Sequence, residues 1–175
     1  QGDAEAFAVL VGRHSQKMLN MACRMLGDYD EACDVTQEAF LAAFRSLGTF
    51  KAESKFSTWL YRIVVNAAKN RLKARQSLLG REGVALEAVE GEGEGYCAFC
   101  RAAAAEGDPG AQLERRELEA QVQTCIDALD DGHRDVFVLR DIQGLAYEEI
   151  REVLKIPDGT VKSRLSRARL AMKDC

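Results

Sequence analysis

Proline is nearly absent: Pro109 and Pro157 are the two in 175 residues. A chain so poor in the residue that breaks helices, and rich in Ala, Leu, Glu and Arg, favours helix over strand. Aromatic residues make up 7% of the chain and Trp59 is the single tryptophan, so any aromatic cluster is informative. No apolar run approaches the roughly 18 residues that a membrane span needs, which argues against membrane insertion. Gln1 to Phe7 show no basic segment followed by an apolar one, so no secretory signal is read there and the expected compartment is the cytoplasm. Also missing are a nucleophile–base set, a glycine loop for phosphate and a quartet of metal ligands. The two histidines, His14 and His133, stand far apart in the sequence. Neither catalysis nor a cofactor is expected.

What is present is enough apolar material, 47%, for packed cores, in a length that suits one ordinary domain or two small ones. Disulfides add little to small helical domains, and nothing else suggests an oxidising compartment. Cys23, Cys33 and Cys125 fall in helical apolar patterns and read as small core residues.

The net charge of −4 conceals strong segregation. Ser54 to Arg81 holds seven basic residues and no acid, Glu82 to Glu119 ten acids against three bases, and Gly159 to Lys173 five bases and no acid. Two basic blocks around an acidic one suggest two anion-binding surfaces. Solvated helix faces would give the same charge pattern.

Apolar spacing divides the chain. Phe7, Leu10, Val11, Met18, Met21, Ala22 and Met25 mark a first helix, ended by Gly27-Asp28. A second runs from about Tyr29 to Leu47, burying Val35, Ala39, Phe40, Ala43, Phe44 and Leu47. After a turn-rich stretch, Gly48 to Ser57, a third spans about Thr58 to Arg75 with Leu60, Ile63, Val64, Ala67, Ala68 and Leu72 inward. Three such helices make a bundle. From Gln76 to about Ala111 the periodicity fades into an acidic, glycine-rich linker. It contains Cys97 and Cys100, a Cys-x-x-Cys pair that is a weak candidate for metal or redox chemistry. Helical spacing resumes with Leu118, Val122, Cys125, Ile126 and Leu129, then a short helix containing Val136, Phe137, Val138 and Leu139. The fold class is all-α, two small helical domains and a flexible linker: 1–75, 76–112 and 113–175.

The C-terminal stretch is the most specific. Tyr147 to Leu154 buries Ile150, Val153 and Leu154; Lys155 to Asp158 allows only a tight turn; Gly159 to Met172 buries Val161, Leu165, Ala168 and Met172. This is a helix-turn-helix, whose second helix fits a DNA major groove. Its outward face carries Thr160, Lys162, Ser163, Ser166, Arg167 and Arg169. Ser and Arg read base edges, while Thr160 and Arg164 suit phosphate. In the N-terminal bundle, Lys55 to Asn66 interleaves Phe56, Trp59 and Tyr61 with basic and amide side chains, a mixture that suits single-stranded DNA. Trp59 and Tyr61 would equally suit the core.

Four segments, Asp34-Val-Thr-Gln-Glu-Ala-Phe40, Phe50 to Asn66, Ile142 to Ile150 and Ile156 to Arg169, closely resemble the extracytoplasmic-function group (group 4) of sigma factors in the sigma-70 family. Their order and spacing match over nearly the whole chain apart from the linker. The resemblance implies a factor that binds core RNA polymerase at its clamp helices and flap and directs promoter-specific initiation. Asp34, Gln37, Glu38, Leu41 and Arg45 would form the polymerase-binding stripe. Phe50, Lys51, Lys55, Phe56, Ser57, Thr58, Trp59, Arg62, Asn66, Asn70 and Arg71 would open and hold the −10 element, a base of which is captured by the loop Phe50 to Ser57. The face from Thr160 to Arg169, Arg164 included, would read the −35 duplex. An anti-sigma partner is implied as well.

The linker length agrees. Promoter elements two helical turns apart lie about 70 Å from each other, and about 36 extended residues reach about 120 Å. Three positions depart from the family pattern: Ala146 replaces a capping Ser, Arg151 a small residue and Lys155 a Gly. An ordinary helix-turn-helix regulator with a sensory bundle is the competing class, and a dithiol enzyme using Cys97 and Cys100 a third. A flexible acidic linker is a poor place to organise such chemistry.

Overall fold

The computed structural model describes residues 4–82 and 109–175, with side chains described for 4–78 and 114–175. Cys97, Cys100 and most of the acidic linker lie outside the described residues. Seven helices account for the described fold: α1 (Ala4–Leu26), α2 (Tyr29–Ser46), α3 (Phe56–Glu82), α4 (Pro109–Asp127), α5 (Asp131–Phe137), α6 (Tyr147–Leu154) and α7 (Asp158–Asp174). A 3-10 turn, Leu47–Thr49, follows α2, and a π turn, Val138–Ile142, follows α5.

α1, α2 and α3 form the N-terminal bundle. Gly27 ends α1 at φ 73°, a conformation open to glycine without the Cβ penalty, and donates its N–H to the Cys23 carbonyl at 2.9 Å. Asp28 then caps α2, its carboxylate accepting from the Glu31 N–H at 2.8 Å. The core is filled by Met18, Met21, Ala22 and Met25 of α1, Ala32, Val35, Ala39 and Ala43 of α2, and Leu60, Val64, Val65 and Ala68 of α3.

In the C-terminal half, α6 and α7 form the expected helix-turn-helix over α5. Ile150, Val153, Val161, Leu165 and Ala168 are buried beside Val136, Val138 and Leu139. Arg140 donates to the Leu145 carbonyl at 2.7 Å and lies over the Tyr147 ring, which fixes the approach to α6.

Several expectations are corrected. Phe44 is exposed, at the bundle's edge, its ring 5.1 Å from that of Phe7. Leu47 belongs to the 3-10 turn rather than to α2. Leu118 is 61% exposed because this stretch of α4, Glu114 to Leu118, lies clear of the described core. Cys125 is no core thiol; it is disulfide-bonded to Cys175, which ties α4 to the end of α7. Helix α3 starts at Phe56 and continues past Arg75 to Glu82, and α4 begins at Pro109, so helix occupies both ends of the stretch read as linker. Residues 73–78 are exposed throughout, and a helix without a buried face leaves no apolar period to read.

The two halves also pack on each other, which the apolar pattern gave no hint of. One continuous cluster of buried side chains runs from the bundle into the C-terminal half. At one end Arg24 donates to Gln123 Oε1 at 3.0 Å, and Arg134 reaches the Met25 carbonyl at 3.4 Å. Tyr61 and Lys69 of α3, and Lys55 just before it, meet Gln143 after the π turn, Asp135 of α5 and Glu149 of α6.

Candidate nucleic-acid and polymerase interface

On α2, Asp34, Gln37, Glu38, Leu41 and Arg45 all face outward. Steps of three and four residues put them on one stripe. Leu41 is 56% exposed, and with the neighbouring exposed Phe44 it gives this polar face an apolar centre suited to a protein partner.

The residues assigned to the −10 element divide between two concave surfaces. Phe50, Lys51, Thr58, Trp59 and Arg62 line a cavity of about 680 Å³ over the loop that precedes α3. Of these, Phe50 and Trp59 form a ring cluster with Phe56, centroids 5.2 to 5.9 Å apart, and His14 packs on Phe56. Burial depresses the His14 pKa, assisted by Lys17 and Arg13. The cluster holds the loop on α3 although Ala52 adopts φ 55°. Trp59 and Tyr61 are both buried. Ser57 is half-buried in the first turn of α3. Asn66, Asn70 and Arg71 instead line a groove of about 540 Å³ between α3 and α2, where Arg71 pairs with Glu38 at 3.3 Å. Polymerase-facing and DNA-facing candidates therefore share one groove.

Three further walls of the loop cavity, Arg151, Glu152 and Lys155, come from the C-terminal half and were not among the sequence candidates. The departures at positions 151 and 155 were the available signal: both put a cation where the family pattern has a small residue or Gly. Lys55 is turned to Glu149 at 2.9 Å, an exposed pair that solvent screens. Tyr61 donates to Gln143 Oε1 at 3.2 Å, and its pKa is pushed up to about 12 by burial first and by Glu149 second. Lys69 pairs with Asp135, which is 3% exposed; burial raises the Asp135 pKa, and Lys69 opposes that shift.

On α7, Lys162, Ser163, Ser166, Arg167 and Arg169 are exposed, while Thr160 and Arg164 are half-buried. Pro157 caps the helix, its carbonyl accepting from the Thr160 and Val161 N–H groups. Lys162 pairs with Asp158 at 2.7 Å. The Ser163 hydroxyl donates to the Thr160 carbonyl at 3.1 Å. Arg169 makes two bonds to Asp141, at 2.9 and 2.6 Å, in the fork geometry that can also grip a guanine. Arg164 folds back over Gly132. Among the described residues no cluster of three or more His, Cys, Asp or Glu is arranged to hold a metal.

Residues 10–78 match the family Sigma-70 region 2, and residues 119–172 match Sigma-70, region 4. The chain belongs to the sigma-70 family. Curated relatives place this sigma factor in the extracytoplasmic-function branch. It is 41% identical to the RNA polymerase sigma-H factor of Pseudomonas aeruginosa over 98% of this chain and 86% of that one. It is 39% identical to the ECF RNA polymerase sigma-E factor of Escherichia coli K12, over 98% and 87%. It is 36% identical to the ECF RNA polymerase sigma factor SigW of Bacillus subtilis, over 99% and 90%. Among solved structures, the fold is shared with the sigma factor RpoE in complex with the anti-sigma factor NepR from Bartonella quintana. The TM-score there is 0.74 at 21% identity, over 98% of this chain and 96% of that one. CnrH, in complex with the cytosolic domain of CnrY, gives 0.67 at 28%, over 99% and 88%. This sigma factor thus serves promoter-specific transcription initiation by RNA polymerase, and no described helix is long and apolar enough to cross a membrane.

Proposed function

We propose that the factor divides its work between its halves, residues 1–75 and 113–175, joined through 76–112. The outward stripe of α2, Asp34 to Arg45, docks on the clamp helices of core polymerase. The C-terminal half meets the flap. The aromatic-lined cavity over Phe50 to Thr58 receives an unstacked base of the −10 element, with Lys51 and Arg62 on the backbone and Asn66, Asn70 and Arg71 on the opened strand. Flipping a base costs a few kcal/mol, and a close-fitting pocket offsets it. Helix α7 enters the major groove at −35, Arg167 and Arg169 reading base edges and Thr160 and Arg164 holding phosphate. The acidic linker follows the path that RNA takes, as a mimic of nucleic acid.

The chain itself performs no catalysis and works in the cytoplasm. An anti-sigma protein restrains it by covering these faces; RpoE, which shares the fold, was solved in complex with the anti-sigma factor NepR. The observation that carries this reading is the pairing of an aromatic, cationic loop cavity with a separate basic helix-turn-helix face in one chain.

The test is transcription of the host's genomic DNA by core polymerase lacking sigma, with and without the factor, mapping every RNA 5′ end. New starts that share upstream elements at −10 and −35 are expected. If folded, inhibitor-free protein gave none, the reading would fall in favour of an ordinary DNA-binding regulator.

A further inference from the structure

The loop cavity has a wall that the sigma reading leaves without a task. Lys51 and Arg62 reach it from the N-terminal half, Arg151 from α6 and Lys155 from the C-terminal cap of that helix. Exposed cations elsewhere have partners: Lys55 pairs with Glu149, Arg71 with Glu38, Lys162 with Asp158 and Arg169 with Asp141. None of the four cavity cations forms an ion pair with a described residue, and neither do the cavity's two carboxylates, Glu53 and Glu152. The cavity is left with a net positive charge that no described contact relieves. Like charges gathered on one cavity repel, and an anion between them turns that repulsion into attraction.

Two further observations point the same way. Lys155 holds φ 53°, which glycine would adopt without the Cβ penalty, so a cation is kept there at a backbone cost. The volume of about 680 Å³ suits a small molecule rather than a single ion. Phe50 and Trp59, ring centroids 5.2 Å apart, line the same cavity and give it an apolar side.

We propose that this cavity is a binding site for a small ligand with linked phosphates, a diphosphate or triphosphate group, free or carried by a nucleoside. Arg62 and Arg151 grip phosphate oxygens with paired hydrogen bonds, and Lys51 and Lys155 act as point charges. Phe50 and Trp59 offer a surface for the base where the phosphates belong to a nucleotide. Glu53 and Glu152 oppose the anion and moderate its affinity. The inference goes beyond the sigma reading and does not depend on it. Lys51 and Arg62 serve the −10 strand in that reading, so ligand and strand take turns at the loop.

Trp59 is the single tryptophan and lines the cavity, so its fluorescence reports occupancy. The full chain is titrated with ATP, with inorganic pyrophosphate, and with sulfate at matched ionic strength. A saturable change is expected with the phosphates and none with sulfate. Tighter binding of ATP would name a nucleotide as the source, and equal binding free pyrophosphate; both uphold the site. Arg151→Ser combined with Lys155→Gly should raise the dissociation constant about tenfold, the loss of two charge-assisted contacts at an exposed site. Glu152→Gln should lower it, and serves alone if circular dichroism shows that the double variant does not fold. No saturation with either phosphate, an equal response to sulfate, or unchanged dissociation constants in the folded variants would each overturn the proposal. Neither polymerase nor promoter enters the titration, so a lack of promoter starts in the genomic assay would strike the sigma reading and leave this result standing.

Discussion

Lys155 ends α6 at φ 53° and ψ 45°, its N–H donated to the Arg151 carbonyl at 2.8 Å. For a residue with a Cβ this left-handed conformation costs about 1 kcal/mol, which explains why Gly is the common residue here in the family. Lys155→Gly should therefore raise the stability of the chain by up to about 1 kcal/mol, partly offset by the greater freedom of unfolded glycine. The check is the urea midpoint at unchanged slope; a lower midpoint would mean that the lysine contributes more at the cavity wall than its backbone costs. This position was legible as an oddity in the sequence, because the resemblance puts a Gly where this chain has Lys155. Trp59 and Tyr61 were not legible in the same way. Aromatics that alternate with cations suit a core and a stacking platform equally, and both are buried. Arg169 was legible as an outward arginine, but its attachment to Asp141, 28 residues away in the chain, was not.

The residue before helix α6, Ala146, offers no side-chain cap, so the N-terminus depends on Glu149 reaching back to the Ala146 N–H at 3.0 Å. That bond comes first, and Lys55 second, in holding the Glu149 carboxyl below its ordinary 4.5. A depressed carboxylate stabilises the fold above its unfolded pKa, and the contribution is lost as pH falls through the lower folded value. Glu149→Gln keeps a capping acceptor but not the charge. Its thermal midpoint should lie below that of the wild type near neutral pH, and the gap should close as pH falls below about 4.5. A gap that persisted in acid would assign the effect to packing rather than to charge. Ala146→Ser should act oppositely, adding about 1 kcal/mol through the missing cap. The tie between α4 and α7 belongs to the same scale. Cys125 and Cys175 close a loop of sequence separation 50, for which chain entropy gives an upper figure of about 4 kcal/mol. A reductant should lower the thermal midpoint of the wild type and leave that of Cys125→Ser unmoved; equal sensitivity in both would show that the bond does not form. Neither partner's sequence position foretold the pairing, since Cys125 satisfies an apolar helical period as well as Val or Ala would.

At the scale of the molecule, apolar periodicity carried most of the helices because each buries one stripe, and the helix-turn-helix because burial, turn and basic face coincide within Tyr147 to Arg169. It could not carry the packing of one half on the other. Beside the shared core, that contact includes polar pairs such as Lys69 with Asp135 and Arg24 with Gln123, whose members are far apart in the chain and unremarkable singly. Arg134 is the clearest case. Its guanidinium donates to the Ile126, Asp127 and Leu129 carbonyls, closing the end of α4, and to the Met25 carbonyl at the end of α1. Nearby, a Cβ on Gly27 would come within 3.1 Å of Asp127 Oδ2, so the two helix ends approach with no room to spare. One side chain thus neutralises the negative ends of two helix dipoles from different halves. Because a single core runs through both halves, the wild type should unfold in one cooperative transition. Arg134→Ala leaves several carbonyls without their charged donor, which should cost about 2–3 kcal/mol, and it removes a link between the halves. Calorimetry should then show a lower and broader transition, with the calorimetric enthalpy exceeding the van't Hoff value as the halves uncouple. A variant that melts lower but equally sharply would show that Arg134 serves the end of α4 alone, and that the remaining apolar contact is sufficient to keep the two halves folding as one.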